Sequence, residues 1–214
     1  MSLDIVIILL IAVNVLVSYK GLNDISFFRK YEFHIGSIRA GEQYRMITSA
    51  FLHGDMGHLF FNMLTLYFFA PVVMMYLGTL SFLLIYFSSL ICGSLLTLYF
   101  HKNDYNYRAI GASGAIMGVL YAAILLRPDM QLAIFFVIPM PAYVFGIGYL
   151  LYTIYGMRSK SDNIGHTAHF GGAIGGYLIT LSRMPNMIYD NTLMVVLLAI
   201  PIILLFVLAK AGKI

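Results

Sequence analysis

A single serine, Ser113, stands among small residues in RAIGASGAIMG, residues 108–118, at the head of an apolar run. Four histidines and an asparagine sit in comparably apolar surroundings. In FLHGDMGHLFFNML, His58 and Asn62 are four residues apart and so share one face of a helix, with His53 just before its start. In DNIGHTAHFGGAIGGYL, His166 and His169 are three apart, and His169 shares a face with Gly172 and Gly176. These are the parts of a hydrolase. A serine hydroxyl is a weak nucleophile and needs a general base within hydrogen-bond reach, usually histidine. The anionic tetrahedral intermediate needs donors, and asparagine, histidine and backbone N–H groups serve. A serine close to a helix start adds unpaired N–H groups and the favourable end of the helix dipole.

Each part also has a plainer reading. Gly-x-x-x-Gly pairs, as at 114/118 and 172/176, most often mark helix packing faces. A lone membrane serine usually bonds back to its own helix. A histidine one turn from an asparagine can simply bridge two helices. Cys92 reads as filler in an apolar run, and Met117 as core. Four histidines could also hold a metal, but catalytic zinc sites commonly add a carboxylate, and no glutamate falls in any apolar run. A metal or other cofactor is therefore not expected.

The elements that position these residues must be membrane helices. Of the 214 residues, 61% are hydrophobic and only 10% charged, with a mean hydropathy of +0.87, whereas soluble domains carry about 25% charged residues. So much apolar surface cannot be hidden in a soluble chain of this length, which makes this an all-α polytopic membrane protein. Apolar runs at 3–18, 57–77, 79–100, 112–126, 138–157, 166–182 and 191–210 predict seven helices. The second and third are joined only by Leu77-Gly78-Thr79, a tight hairpin, and the fifth is expected to begin near Pro139 or Pro141. The first run has no basic n-region and no cleavage pattern, so it reads as a retained helix rather than a signal peptide. The 19–56 segment is rich in aromatics and suits a structure lying partly in the interface; with no tryptophan in the chain, any aromatic belt must be built from tyrosine. One cysteine rules out an intrachain disulfide, and a scattered net charge of +4 gives no support to nucleic-acid binding.

Counting helices in order puts eleven of the thirteen Lys and Arg on the side of the 19–56 segment, leaving only Arg127 and Arg183 opposite. The positive-inside rule then places that segment in the cytoplasm.

Gly111-Ala112-Ser113-Gly114, with Ala168-His169-Phe170-Gly171-Gly172 downstream and His53-x4-His58-x3-Asn62 upstream, resembles the rhomboid intramembrane serine proteases. Gln43-Tyr44-Arg45 resembles the Trp-Arg element of that family's first loop. The resemblance covers about 180 residues and implies a six-helix transmembrane bundle, residues 1–185, with an additional C-terminal transmembrane helix in 186–214. It implies a dyad of Ser113 as nucleophile and His169 as general base and then acid. The oxyanion hole would comprise Asn62, His58 and the Ser113 backbone N–H, and Gly111, Gly114, Gly118, Gly172 and Gly176 would serve close packing. The substrates would be transmembrane segments of other proteins, cut within the bilayer, and the expected location is the cell membrane of a prokaryote. A catalytically silent relative that binds transmembrane clients is the alternative. The family opens its site to the non-cytoplasmic side, opposite to the charge count. Two departures stand out: Tyr44 replaces the loop tryptophan, and Met117 stands where the family often stacks an aromatic on the catalytic histidine. His166 is assigned no catalytic role.

Overall fold

The computed structural model describes residues 4–134, 138–159 and 164–214. Helix α1 spans Ile5–Asn23, and the Asp4 carboxylate caps it by accepting from the Val6 N–H at 2.8 Å. The first loop folds into the short helices α2, Ile25–Tyr31, α3, Ile35–Arg39, and α4, Arg45–Thr48, with strand β1, Phe33–His34, between α2 and α3. Then comes α5, Met56–Phe100, whose helical conformation breaks at Gly78 with φ 77° and ψ 168°. That left-handed residue turns the chain back on itself, so α5 is a hairpin of two apolar limbs, 56–77 and 79–100, as the sequence predicts. Strand β2, Arg108–Ala109, pairs antiparallel with β1 and ties the loop before Ser113 to the first loop. Helices α6, Ser113–Leu126, α7, Ala142–Ser159, and α8, His166–Arg183, follow, and α10, Thr192–Lys210, comes after the short α9, Met187–Asp190.

The fifth apolar helix begins beside Pro141, as expected, but the residues before it hold a strand that the sequence does not predict: 138–141 form β4, which pairs with β3, Gln131–Ile134, in an antiparallel hairpin. Pro139 and Pro141 cannot donate ladder hydrogen bonds, yet such a two-stranded edge tolerates them, and the helix begins only at Ala142.

The bundle is an all-α membrane fold centred on α6, which is buried from Gly114 to Leu126 between both limbs of α5 and α8. Helix α6, 14 residues long, is too short to reach across a bilayer core of roughly 30 Å, and Ser113 is its first residue. The approach of α8 to α6 and to α5 is backbone against backbone. A Cβ on Gly172 would fall on the Gly114 carbonyl, and one on Gly176 on the Gly118 carbonyl. On the other face of α8, a Cβ on Gly171 would lie 2.7 Å from Gly93 Cα. Helix α10 lies outside, against α7 and α8, where Tyr177 of α8 donates to the Val195 carbonyl at 2.9 Å.

The first loop is held by ion pairs. Arg45 is buried, donates from Nε to Glu42 at 2.5 Å, and reaches the carbonyls of Arg29 and Glu32 at 2.7 and 3.1 Å. The buried Glu32 carboxylate is bound by Arg108 and by Arg29 at 3.2 Å, and Lys20 pairs with Asp24 at 2.9 Å. The count of loop-side positive charge thus includes four residues already matched by carboxylates; Lys160, also in that count, lies outside the described residues.

A β-branched side chain on the α8 seam has nowhere to go, because what it meets is backbone. Gly176→Val is expected to lower stability by about 3 kcal/mol. Gly148→Ala, on α7 with open space around its Cβ position, should instead be neutral or stabilising by up to about 1 kcal/mol. Thermal unfolding of the two variants in detergent micelles separates these outcomes.

Candidate functional site

Ser113 is the first residue of α6, and Ala112 before it is still in helical conformation. As the first helical residue it has an N–H with no acceptor inside the helix, and the positive end of the helix dipole lies beside its hydroxyl. Its side chain is half-buried. The α8 seam brings His169, on the first turn of that helix, to meet it: Nε2 lies 2.6 Å from Ser113 Oγ. His169 is 95% buried, so the contact is almost fully withdrawn from the surface. A cavity of about 30 Å³ borders Ser113, with Ser49, Ser94 and Thr97 among its lining residues. That volume holds one or two waters at most.

Asn62 and His58 approach from the first limb of α5. Asp55 caps this limb by accepting from the His58 N–H at 2.8 Å. Asn62 is buried, and its Nδ2 has no hydrogen-bond partner among the described residues. A buried amide donor without an acceptor is costly, and here it sits one helical turn from His58 on the same face. The His58 ring passes over Gly111: a Cβ there would come within 2.8 Å of Nε2. Gly111 also has φ 112°, a conformation suited to glycine. Its expected role in helix packing is corrected on this ground. Gly111 precedes α6 and leaves room for the His58 ring between α5 and Ser113, while Gly114, Gly118, Gly172 and Gly176 lie on the helix seam.

His53 lies in the turn before α5 and is fully buried. Its Nδ1 is 2.8 Å from Ser18 Oγ, and Ser18 donates to the Phe51 carbonyl at 2.9 Å, so Nδ1 carries the proton. Nε2 is thereby free to accept from the Ala112 N–H, at 3.4 Å. One neutral imidazole thus ties α1 to the residue before Ser113. Burial holds the ring down to a pKa of about 3, the neighbouring His58 adding to the effect and Asp55 opposing it.

Tyr44 is exposed at the start of α4, with the Arg45 guanidinium 5.7 Å from its ring centre. Both belong to the first-loop clamp and not to the Ser113–His169 contact. His166 is buried one turn before His169, with the Tyr152 ring 5.7 Å away and Gly156 of α7 giving it space. Among the described residues no three His, Cys, Asp or Glu come together as metal ligands would. Met117 is buried in the core. The aromatic that meets His169 comes from another helix and escaped the sequence reading: Tyr149 of α7 places its hydroxyl 3.0 Å from Nδ1, with ring centres 5.7 Å apart. Nothing in GIGYLLY distinguishes that tyrosine from its neighbours.

Residues 40–186, well over half of the chain, match the family model of the rhomboid domain. The mitochondrial RHOMBOID-like protein 12 of Arabidopsis thaliana is 30% identical over 186 residues, 79% of this chain and 55% of its own length. YdcA of Bacillus subtilis (strain 168), provisionally named a rhomboid protease, is 32% identical over 65% of this chain and 67% of its own. The mitochondrial Rhomboid protein 1 of Saccharomyces cerevisiae is 33% identical over 62% of this chain and 40% of its own. The chain therefore spans about half the length of the plant relative and less of the yeast one.

Because His53 stays neutral in the fold while an unfolded histidine titrates near 6.5, the unfolded state binds the extra proton between those values. Its contribution to stability is full above about pH 6.5 and falls as pH drops toward 3. His53→Gln, which can still bond both neighbours, should flatten the loss of stability between pH 6.5 and 4. Chemical denaturation in micelles across that range measures it.

Proposed function

Since the chain belongs to the rhomboid family, we propose that it is an intramembrane serine endopeptidase that cuts transmembrane segments of other membrane proteins. The observation that carries this reading is the 2.6 Å contact between His169 Nε2 and Ser113 Oγ, the geometry a general base needs to activate a nucleophile. In the proposed reaction His169 Nε2 takes the Ser113 proton as Oγ adds to the scissile carbonyl. The oxyanion that forms accepts from Asn62 Nδ2, His58 and the Ser113 backbone N–H. The unpartnered Asn62 donor supports this assignment, because a donor held ready for charge that appears only in the transition state is the arrangement that accelerates the step. Collapse breaks the C–N bond, and the leaving amine takes the proton back from His169. Water then adds to the acyl-serine with His169 again as base; collapse breaks the ester bond to Oγ, and His169 returns the proton to Ser113 as the carboxyl product leaves.

A peptide bond inside an intact helix is hydrogen-bonded and shielded, so the substrate must unwind locally. This favours segments with small or helix-breaking residues near one end. Residues 1–185 form the protease core in this reading and 186–214 an appended helix, in keeping with a family match that ends at 186. The bacterial relative supports the prokaryotic cell membrane as location, while mitochondrial relatives such as those of Arabidopsis and yeast mark organelle membranes as the competing site. The main competing function is a silent protein that binds transmembrane clients, as the mitochondrial relatives leave room for.

In liposomes with a single-span substrate, Ser113→Ala and His169→Ala are expected to abolish cleavage and labelling by a serine-reactive fluorophosphonate. Asn62→Ala should lower kcat by about 10²- to 10³-fold. Client binding with no turnover and no labelling in the unaltered protein would establish the silent alternative.

A further inference from the structure

The dyad has a third member by geometry. Tyr149 lies on α7, which carries neither Ser113 nor His169, yet its hydroxyl is 3.0 Å from His169 Nδ1 while Nε2 is 2.6 Å from Ser113 Oγ. The imidazole is thus held at both nitrogens, by α6 on one edge and α7 on the other. For Nε2 to receive the serine proton, Nδ1 must carry the hydrogen, and the tyrosine oxygen is then its acceptor. The tyrosine ring is seated in turn: Phe145, one turn earlier on α7, stacks on it with ring centres 5.8 Å apart and planes 18° from parallel. We propose that Tyr149 is the positioning residue of the catalytic base, fixing the ring orientation and the Nδ1–H tautomer of His169. The proposal rests on the protease reading above.

The choice of residue follows from the solvent. In a water-exposed enzyme this position suits a carboxylate, whose charge enforces the tautomer and stabilises the imidazolium. At membrane depth an ionised carboxylate is expensive, and no aspartate or glutamate falls between Asp129 and Asp162 to supply one from α7. A phenol gives an acceptor of the right reach without a charge. It also imposes less, because a hydroxyl can donate as well as accept. Removing it therefore lets the imidazole turn and change tautomer but does not force the wrong tautomer. The loss should be far smaller than the roughly 10⁴-fold seen when an amide replaces a triad carboxylate.

Tyr149→Phe keeps the ring and its stack on Phe145 and deletes only the hydroxyl. In liposomes with the same single-span substrate, it is expected to lower kcat by about 5- to 20-fold, with KM within about twofold and an unchanged melting temperature. The fluorophosphonate inactivation rate should fall by a similar factor. Tyr149→Leu, which also loses the stack, should lower kcat at least as far. A purely structural tyrosine would instead shift KM or the melting temperature and leave kcat intact. If Tyr149→Phe cleaves with the kcat of the unaltered protein, the assignment to Tyr149 is overturned while the protease reading stands. If the unaltered protein neither cleaves nor takes the label, the protease reading itself fails, and this inference fails with it.

Discussion

The approach of α8 to α6 without intervening side chains is the constraint on which the rest of the structure depends. In lipid there is no hydrophobic force to drive two apolar helices together, so association relies on close van der Waals contact, and small residues give most of it. Gly114, Gly118, Gly172 and Gly176 let the two backbones meet carbonyl against Cα. That spacing fixes what happens at the helix starts. Ser113 and His169 each lie in the first turn of their helix, and a Cβ inserted at the seam would separate them as well as the helices. The second limb of α5 closes the same seam from behind, with Gly93 against the Ala168 carbonyl at 2.7 Å from its Cβ position. Packing and chemistry are therefore alternatives only in the short stretch 108–118 taken alone. In the fold, the one makes the other possible.

The first loop solves a different problem. It must stand over a polar site at the membrane surface without melting into it, and its means are charges turned inward. Glu32 is buried against Arg108 and Arg29, and Arg45 runs beneath the loop to its carbonyls. Burying such pairs is costly unless their remaining hydrogen bonds are met, and here backbone carbonyls meet those of Arg45. Because Arg108 is also in β2, the pair links the loop directly to the strand that leads into Ser113. His53 makes the second link, from α1 through Ser18 to the Ala112 N–H. Ser113 is thus approached by two tethers from the loop side and one seam from the bundle.

Much of this was legible in the sequence, and the exceptions have physical reasons. The apolar runs, the Gly78 hairpin and the meeting of Ser113 with His169 follow from residue type and spacing, because lipid penalises misplaced polar groups so heavily that few arrangements remain. The β3–β4 hairpin before α7 is not legible, because a proline near an apolar run reads equally well as a helix first turn or an edge strand, and the pairing that decides it is tertiary. Gly111 was assigned to packing because a glycine's left-handed φ is invisible in sequence. Tyr149 was missed for a stronger reason: one of 16 tyrosines, it gains meaning only from the angle at which α7 crosses α8.

That omission bears on how hydrolysis can be arranged inside a membrane at all. The sequence offers no carboxylate partner for His169 and puts Met117 where an aromatic is expected to stack on it. In the structure a neutral group from another helix meets the ring instead, the Tyr149 hydroxyl at 3.0 Å from Nδ1. Ser113 and Tyr149 are neutral groups, and buried His53 is held neutral by its surroundings. The loop carboxylates Asp24, Glu32 and Glu42 are each paired with a lysine or arginine. In the proposed reaction, electrostatic work is then confined to the moment when charge would appear on the oxyanion and the imidazole together, with the N-terminus of α6 beside Ser113. In the proposed mechanism the base is sensitive to α7, because the hydroxyl at His169 Nδ1 is carried by a helix that contributes no other proposed member of the site.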